Sequence, residues 1–192
     1  MFEDLINRQS PARPEKGRVL ISEPMLQDKS FQRSVIYLCH HNEEESVGYI
    51  LNRPSEQSLS ILIKELEGIE FPLYFGGPVD LNSLHFIHTY PEWLGGEQIE
   101  GNVYWSGDLE QAIEYIKIGK IDESGIRFFA GYSGWGSGQL DAEMDMQSWL
   151  VAEVNPEFIF NTPNEELWTA SVKKLGANYK TLLFVPEDPQ FN

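Results

Sequence analysis

Between Gly131 and Glu143 the chain reads Gly-Tyr-Ser-Gly-Trp-Gly-Ser-Gly-Gln-Leu-Asp-Ala-Glu, which sets two serines, a glutamine and two carboxylates among four glycines. Three chemistries are open to such a stretch. The first is nucleophilic attack by Ser133. A nucleophile elbow has the form G-x-S-x-G, and here Trp135 stands where the last glycine belongs, so its bulk obstructs the close strand-to-helix approach the elbow needs. The second is phosphate binding. Gly134, Gly136 and Gly138 precede a helix-compatible run whose free N–H groups could hold an anion. The spacing matches neither the dinucleotide fingerprint nor the lysine-bearing loop. Asp141 and Glu143 would also occupy the first turns. A helix terminus stabilises an anion by about 0.3–1 kcal/mol, whereas a like charge at roughly 6 Å costs about 3 kcal/mol at an effective dielectric near 20. The carboxylates win, and the glycines read as room for Tyr132 and Trp135 to pack.

The third chemistry is metal binding. Asp141, Glu143 and Asp145 could collect a hard cation with waters, but acidic residues at a helix start are ordinary solvated groups. His40 and His41 are adjacent and point to opposite faces of a strand, and His85 and His88, three apart, are likewise separated. No pair has zinc-ligand spacing. No metal and no cofactor is expected. Arg33, Asn52 and Arg53 lie beside two hairpin strands, where arginines ordinarily pair with structural carboxylates or remain solvated, and their place at strand ends keeps an anion-binding role open. Gly76-Gly77-Pro78 reads first as a turn and second as a place where a ligand meets backbone.

The elements that must carry these groups follow from pattern and punctuation. Arg18–Ser22 is apolar and β-leaning, and Phe31–Cys39 is a strand with Val35–Leu38 apolar on both faces. Val47–Leu51 returns as its hairpin partner and Pro54, lacking a ladder donor, stops it. Ser58–Leu66 has helical spacing, with Ser58 as cap. Leu73–Phe75, Ser83–His88 and Val103–Trp105 are strands, and Pro91–Gly101 is a loop. Leu109–Ile118 is an amphipathic helix, and Ile126–Ala130 is a strand running into a glycine loop and a short helix. Trp149–Val154 is a strand. Thr162-Pro-Asn-Glu165 opens a helix that ends at Gly176, with Thr162 as cap. Thr181–Val185 is an edge strand. The short turns between strands imply antiparallel pairing and an α+β fold. Residues 1–16, opening with a short helix ended by Pro11 and Pro14, form an arm, and 17–192 form one domain.

Composition restricts the partners. The 14 Lys+Arg against 30 Asp+Glu give a net charge of −16, which opposes nucleic-acid phosphates and anionic membranes. Direct, specific DNA binding is not expected. A nanomolar, sequence-selective titration at moderate salt would overturn that. Cys39 is the single cysteine, so no internal disulfide is possible, and it reads as a buried core residue rather than a nucleophile. The first residues lack a signal peptide's basic start and apolar core, and no apolar run reaches membrane-span length. A cytoplasmic protein is expected.

An ordered set of motifs makes the chain resemble the AlgH family, whose bacterial members include the YqgE proteins. The set begins with Asp28 and Phe31-Gln-Arg33-Ser34-Val35, then His41-Asn42, then Gly48 and Asn52-Arg53-Pro54. It continues through Gly76-Gly77-Pro78, His88-Thr89, Gly131-Tyr132-x-x-Trp135, Gly138-Gln139-Leu140-x-x-Glu143 and Trp149-Leu150, and ends on Phe160-x-Thr162-Pro163 and Trp168. The resemblance runs from about Leu20 to Leu182 and omits roughly the first sixteen residues. It implies a split, bent, mostly antiparallel sheet forming a pseudo-barrel with flanking helices. It implies no established enzyme activity. Members carry a label as transcriptional regulators, taken from one member's association with alginate production, and no helix-turn-helix is evident here. Members can lack glycine at the positions of Gly134 and Gly136, which further weakens the phosphate-loop reading.

These readings lead to a non-enzymatic regulatory or adaptor protein that binds a small ligand or a protein partner. The rival is an enzyme acting on a small anionic or polar substrate. The candidate binding residues are Arg33, Asn52, Arg53, Gly76, Gly77, Tyr132, Trp135 and Gln139, on strand ends expected to converge on one concave region. The competing account makes the same residues a lock that holds the split sheet together. A structural Gln139 would then cost about 1–3 kcal/mol on removal, by stranding a buried partner.

Overall fold

A computed structural model describes residues 10–186. The described strands are β1 (Arg18–Ser22), β2 (Val35–His41), β3 (Glu45–Ile50), β4 (Pro54–Ser58), β5 (Pro72–Phe75), β6 (Val79–His88), β7 (Glu97–Glu100), β8 (Val103–Trp105), β9 (Ile126–Gly136) and β10 (Trp149–Glu153). The helices are α1 (Pro91–Leu94), α2 (Leu109–Lys117), α3 (Gln139–Asp145), α4 (Pro156–Asn161) and α5 (Asn164–Lys174). The sheet order is β10-β1-β2-β3-β9-β6-β8-β7, with β5 set against β9 and β4 against β5. All pairs are antiparallel except β5 with β9. The fold is α+β, its sheet split and bent into a partial barrel with flanking helices.

β9 belongs to both halves of that sheet. Its first residues, Ile126–Ala130, pair with β5 and β6, and its last, Ser133–Gly136, pair with β3. The expected glycine loop is therefore strand. Tyr132 and Trp135, three apart, fall on opposite faces and pack into different core clusters. β1, β2 and β3 are buried on both faces, which explains their unbroken Val/Ile/Leu/Tyr runs. One face, bearing Val19, Val35, Tyr37 and Leu51, is covered by Leu167, Trp168 and Val172 of α5. The other, bearing Leu20, Ile36, Ile50 and Trp149, meets Leu140 of α3. A further cluster joins Leu73, Phe86 and Phe128 to Ala112 and Ile116 of α2. Cys39 is fully buried in the first cluster, and burial raises its thiol pKa well above the ordinary value.

Several elements differ from the sequence reading. Phe31–Ser34 is a turn, and β2 begins only at Val35 and continues to His41. The amphipathic Ser58–Leu66 forms two 3-10 turns instead of an α-helix, because Ser58 Oγ bonds the backbone of Phe71 rather than capping. Pro54 opens β4, an exposed strand where its missing donor is harmless. Pro91–Gly101 contains α1 and β7. The last helix starts one residue later than expected, with Pro163 in the cap position and no side-chain cap. Ala177–Phe184 is a 3-10 run packed on α5, so the expected edge strand is absent there. The expected helix at the start of the arm lies outside the described residues. From Ser10 onward the arm is held to β10, since Ser10 Oγ accepts from Val151 N at 2.8 Å. Among the described residues no helix is long and apolar enough to cross a membrane.

Candidate functional site

The Gly76-Gly77 turn crosses β9 with backbone against backbone. Gly76 N donates to Ala130 O at 2.9 Å, and Gly76 O accepts from Ile50 N at 3.0 Å and from Ser133 Oγ at 3.1 Å. A Cβ on Gly76 would lie 2.3 Å from Gly131 O, and one on Gly77 2.3 Å from the Tyr132 carbonyl. Ser133 is fully buried and its hydroxyl is spent on that carbonyl, so it is no nucleophile in this state.

Asn52 staples the β2 and β3 ends. Its Oδ1 accepts from Val35 N and its Nδ2 donates to Arg33 O, both at 2.9 Å. This pair fixes Arg33 in the left-handed region, with φ of 48°. Arg33 donates to Val185 O at 2.5 Å and lies over the Trp168 ring at 4.7 Å, while Arg53 donates to Gln32 O at 2.5 Å. Both arginines thus clamp backbone carbonyls near the sheet end. Phe75 N donates to Arg53 O at 2.8 Å, which joins this group to the glycine crossing.

Trp135 and Gln139 belong to a third arrangement. Glu143 Oε2 accepts from the indole N–H of Trp135 at 2.8 Å and of Trp149 at 2.7 Å, and its Oε1 accepts from Gln139 Nε2 at 3.1 Å. Glu143 is half-buried and hydrogen-bonded, unlike the solvated group the sequence suggested. Asp141 and Asp145 are exposed. Tyr132 is half-buried, its ring edge-on to His85 at 5.7 Å. Hydrogen bonds link Arg33, Asn52, Arg53 and Gly76 into one group, and Gly77 packs closely against the Tyr132 carbonyl beside it. The structure sets Trp135 and Gln139 at the far end of β3, where Glu45 pairs with Gly136, roughly 20 Å from Asn52 at the strand rise per residue. Gln139 is exposed and its bonds are local. Gln139→Ala therefore changes stability by less than about 0.5 kcal/mol, the scale of an i,i+4 helix pair. A urea midpoint shift of several-fold larger size would contradict this.

The histidines are held one by one. His41 Nδ1 is 2.7 Å from Ser46 Oγ, and His85 Nε2 is 2.8 Å from Ser83 Oγ. Among the described residues no three His, Cys, Asp or Glu side chains group as a metal site. His88 Nδ1 accepts from Tyr90 N at 3.0 Å, so Nε2 carries the proton that it donates to Ser106 O at 2.8 Å. Burial lowers the His88 pKa from its ordinary value, against the hydrogen bond to Ser106. The unfolded ring protonates near about pH 6.5 while the folded ring resists, so its stabilisation is complete above that pH and is lost as pH falls toward the folded pKa. His88→Gln should flatten the fall in stability below about pH 6.5 relative to wild type. Equal slopes in urea titrations of the two proteins would rule His88 out as the source.

One cleft of about 460 Å³ opens where β5 and the start of β9 meet the α4–α5 corner. Its lining includes Pro54, Tyr74, Glu123, Arg127, Thr162 and Asn164. Arg127 is 4% exposed. It donates to Leu51 O at 2.7 Å and Phe160 O at 3.3 Å and lies 4.5 Å from the Tyr74 ring centroid, with no carboxylate of the described residues in ion-pair range. Burial lowers its pKa, yet a guanidinium stays charged. Asn164 Oδ1, at the start of α5, is buried and has no hydrogen-bond partner. The sequence reading passed over Arg127. Its signal was a lone cation inside the apolar run Ile126-Arg-Phe-Phe-Ala130, where burial of a charge demands a reason.

Comparison with known proteins places this geometry in context. The AlgH-like family model matches residues 19–180. A UPF0301 protein of Chlorobium limicola is 40% identical over 98% of this chain and all of its own. A UPF0301 protein of Bacteroides thetaiotaomicron is 39% identical over 93% of this chain and 92% of its own. The solution structure of the AlgH protein from Pseudomonas aeruginosa aligns with a TM-score of 0.67 at 29% identity, covering 94% of this chain and 98% of that one. A crystal structure of a Corynebacterium diphtheriae protein aligns at 0.77 over 93% and 96%, and at 24% identity it attests to the fold alone.

Proposed function

Since the chain belongs to the AlgH-like family, we propose that it is a cytoplasmic regulatory or adaptor protein that binds a small ligand without transforming it. The supporting observation is the Arg127 cleft. A buried cation, an aromatic face and a few polar groups converge on one open concavity, the usual make-up of a ligand site. In this reading Arg33, Asn52, Arg53, Gly76, Gly77 and Tyr132 act as the frame, and Trp135 and Gln139 stand apart from it. Asn52 and Arg53 lead directly into Pro54, and the Gly76 turn directly follows β5, so they fix two walls of the cleft. Regulation through direct DNA contact is not part of the proposal, because a net charge of −16 opposes the phosphate backbone.

A metabolite panel scored by thermal shift, with each hit recovered and assayed by mass spectrometry, tests the reading. Stabilisation by a compound recovered intact supports a binding protein. A compound that is consumed makes the protein an enzyme acting on a small polar substrate. Hits whose effect survives blocking of the cleft, for instance by a bulky substitution at Thr162, would place the site elsewhere.

A further inference from the structure

We infer that the Arg127 cleft takes a small zwitterion, a compact molecule carrying an acidic group for Arg127 and an ammonium donor for Asn164 Oδ1 and Glu123. The inference rests on the preceding reading that this cleft is a binding site.

The cleft volume suits a small molecule, not a macromolecular segment. Arg127 in its lining is a buried charge whose five N–H donors meet, among the described residues, two acceptors, both neutral backbone carbonyls. A carboxylate supplies the stronger, bidentate partner that a guanidinium geometry favours. The start of α5 has no side-chain cap, and its first residue, Asn164, lines the cleft.

A simple anion, however, fits poorly. Glu123 lines the same cleft and acts on Arg127 through its charge, and Glu165 and Glu166 occupy the first turn of α5. The whole chain is also strongly acidic. A dianion such as phosphate would meet this field with no compensating group of its own. The buried Asn164 Oδ1 is an acceptor and calls for a donor, which a carboxylate lacks. A zwitterion answers each point: its acid meets Arg127, its ammonium meets Asn164 Oδ1 and Glu123, and it brings no net charge into the field.

The test is an amide-resolved NMR titration of the full chain with each of the twenty free α-amino acids. Propionate, ethylamine and inorganic phosphate run in parallel, and any amino acid that binds is followed by its deaminated and decarboxylated counterparts. The expected result is shifts at Arg127, Asn164 and Glu165 for at least one amino acid. Either truncated counterpart should bind about tenfold or more weakly, the loss of one charged contact. Asn164→Ala and Glu123→Gln should each weaken it without unfolding, and Arg127→Lys serves where Arg127→Met fails to fold. Propionate or phosphate binding at the cleft as tightly as any amino acid overturns the zwitterion and leaves the binding reading standing. Cleft shifts with no probe at all overturn the zwitterion too, and the metabolite panel then decides the broader reading separately.

Discussion

Gly77→Ala unfolds this protein, or lowers its stability by more than about 4 kcal/mol, a loss reserved for a short list of mechanisms. Two of those mechanisms coincide at this position. The φ of 153° disfavours a side chain, and the added Cβ would sit 2.3 Å from both the carbonyl carbon and oxygen of Tyr132. Those are backbone atoms of β9, a strand fixed by three neighbours, so nothing nearby can yield. Gly136→Ala is the matched control. It lies in the same glycine-rich stretch, has open space around its Cβ position and needs no unusual backbone angle. Alanine there should be neutral or slightly stabilising, through a less flexible unfolded chain. Urea denaturation followed by circular dichroism compares the two. A Gly77→Ala protein within about 1 kcal/mol of wild type would mean the crossing tolerates a displacement that its packing forbids.

Glu143→Ala should lose about 2–5 kcal/mol, as two indole N–H donors in a dry interior lose their shared acceptor. Trp149 is 2% exposed and Trp135 5%, so water cannot substitute without opening the packing. Their rings meet edge to face at 6.1 Å, and Phe31 packs edge-on to Trp149 at 5.5 Å. Loosening one therefore loosens all three. Glu143→Gln keeps an acceptor oxygen and should cost only about 1 kcal/mol, the difference between a charge-assisted and a neutral hydrogen bond. Tryptophan fluorescence during urea unfolding gives both the midpoint and the native emission. A Glu143→Ala protein as stable as Glu143→Gln would show that the carboxylate is not the element joining α3 to the sheet.

The alternation and apolar runs of the chain make most of its strands legible in the sequence, whereas the split, bent sheet is what the family resemblance implies. Arg18–Ser22, Val47–Leu51 and Trp149–Val154 are readable from their apolar runs, the last two strands ending one residue earlier at Ile50 and Glu153, and Asp108 and Gly176 mark helix ends with local chemistry. Gly131–Gly136 was misread because glycine in a strand and glycine in a loop look alike locally. What decides between them is a second backbone, Gly76-Gly77, fifty-odd residues away. Leu59–Leu66 carried helical spacing, but the bond from Ser58 to Phe71 diverts the chain into short turns. Arg33, Asn52, Arg53 and Trp135 each hold a specific hydrogen bond, while Gln139 makes only local ones. Their partners are backbone carbonyls and a buried carboxylate, which no spacing rule reveals. The cleft depends on Arg127, Tyr74 and Asn164, three residues that only tertiary folding assembles.

The order in which the strands pair also bears on how the chain is made. β1, β2 and β3 form an antiparallel meander complete by Ile50, yet both its outer strands wait for partners encoded much later, β9 for β3 and β10 for β1. At about 5–20 residues per second of synthesis, Trp149 leaves the ribosome several seconds after Ile50. Throughout that interval the nascent protein carries two open strand edges rich in Val, Ile and Leu, the kind of surface that recruits other chains. The acidic run Glu43-Glu44-Glu45, at the mouth of the β2–β3 hairpin, places repelling charge beside one of those edges. Acidity, an obstacle to nucleic acids in the finished protein, also sets like charges on unfinished copies, and like charges oppose their association.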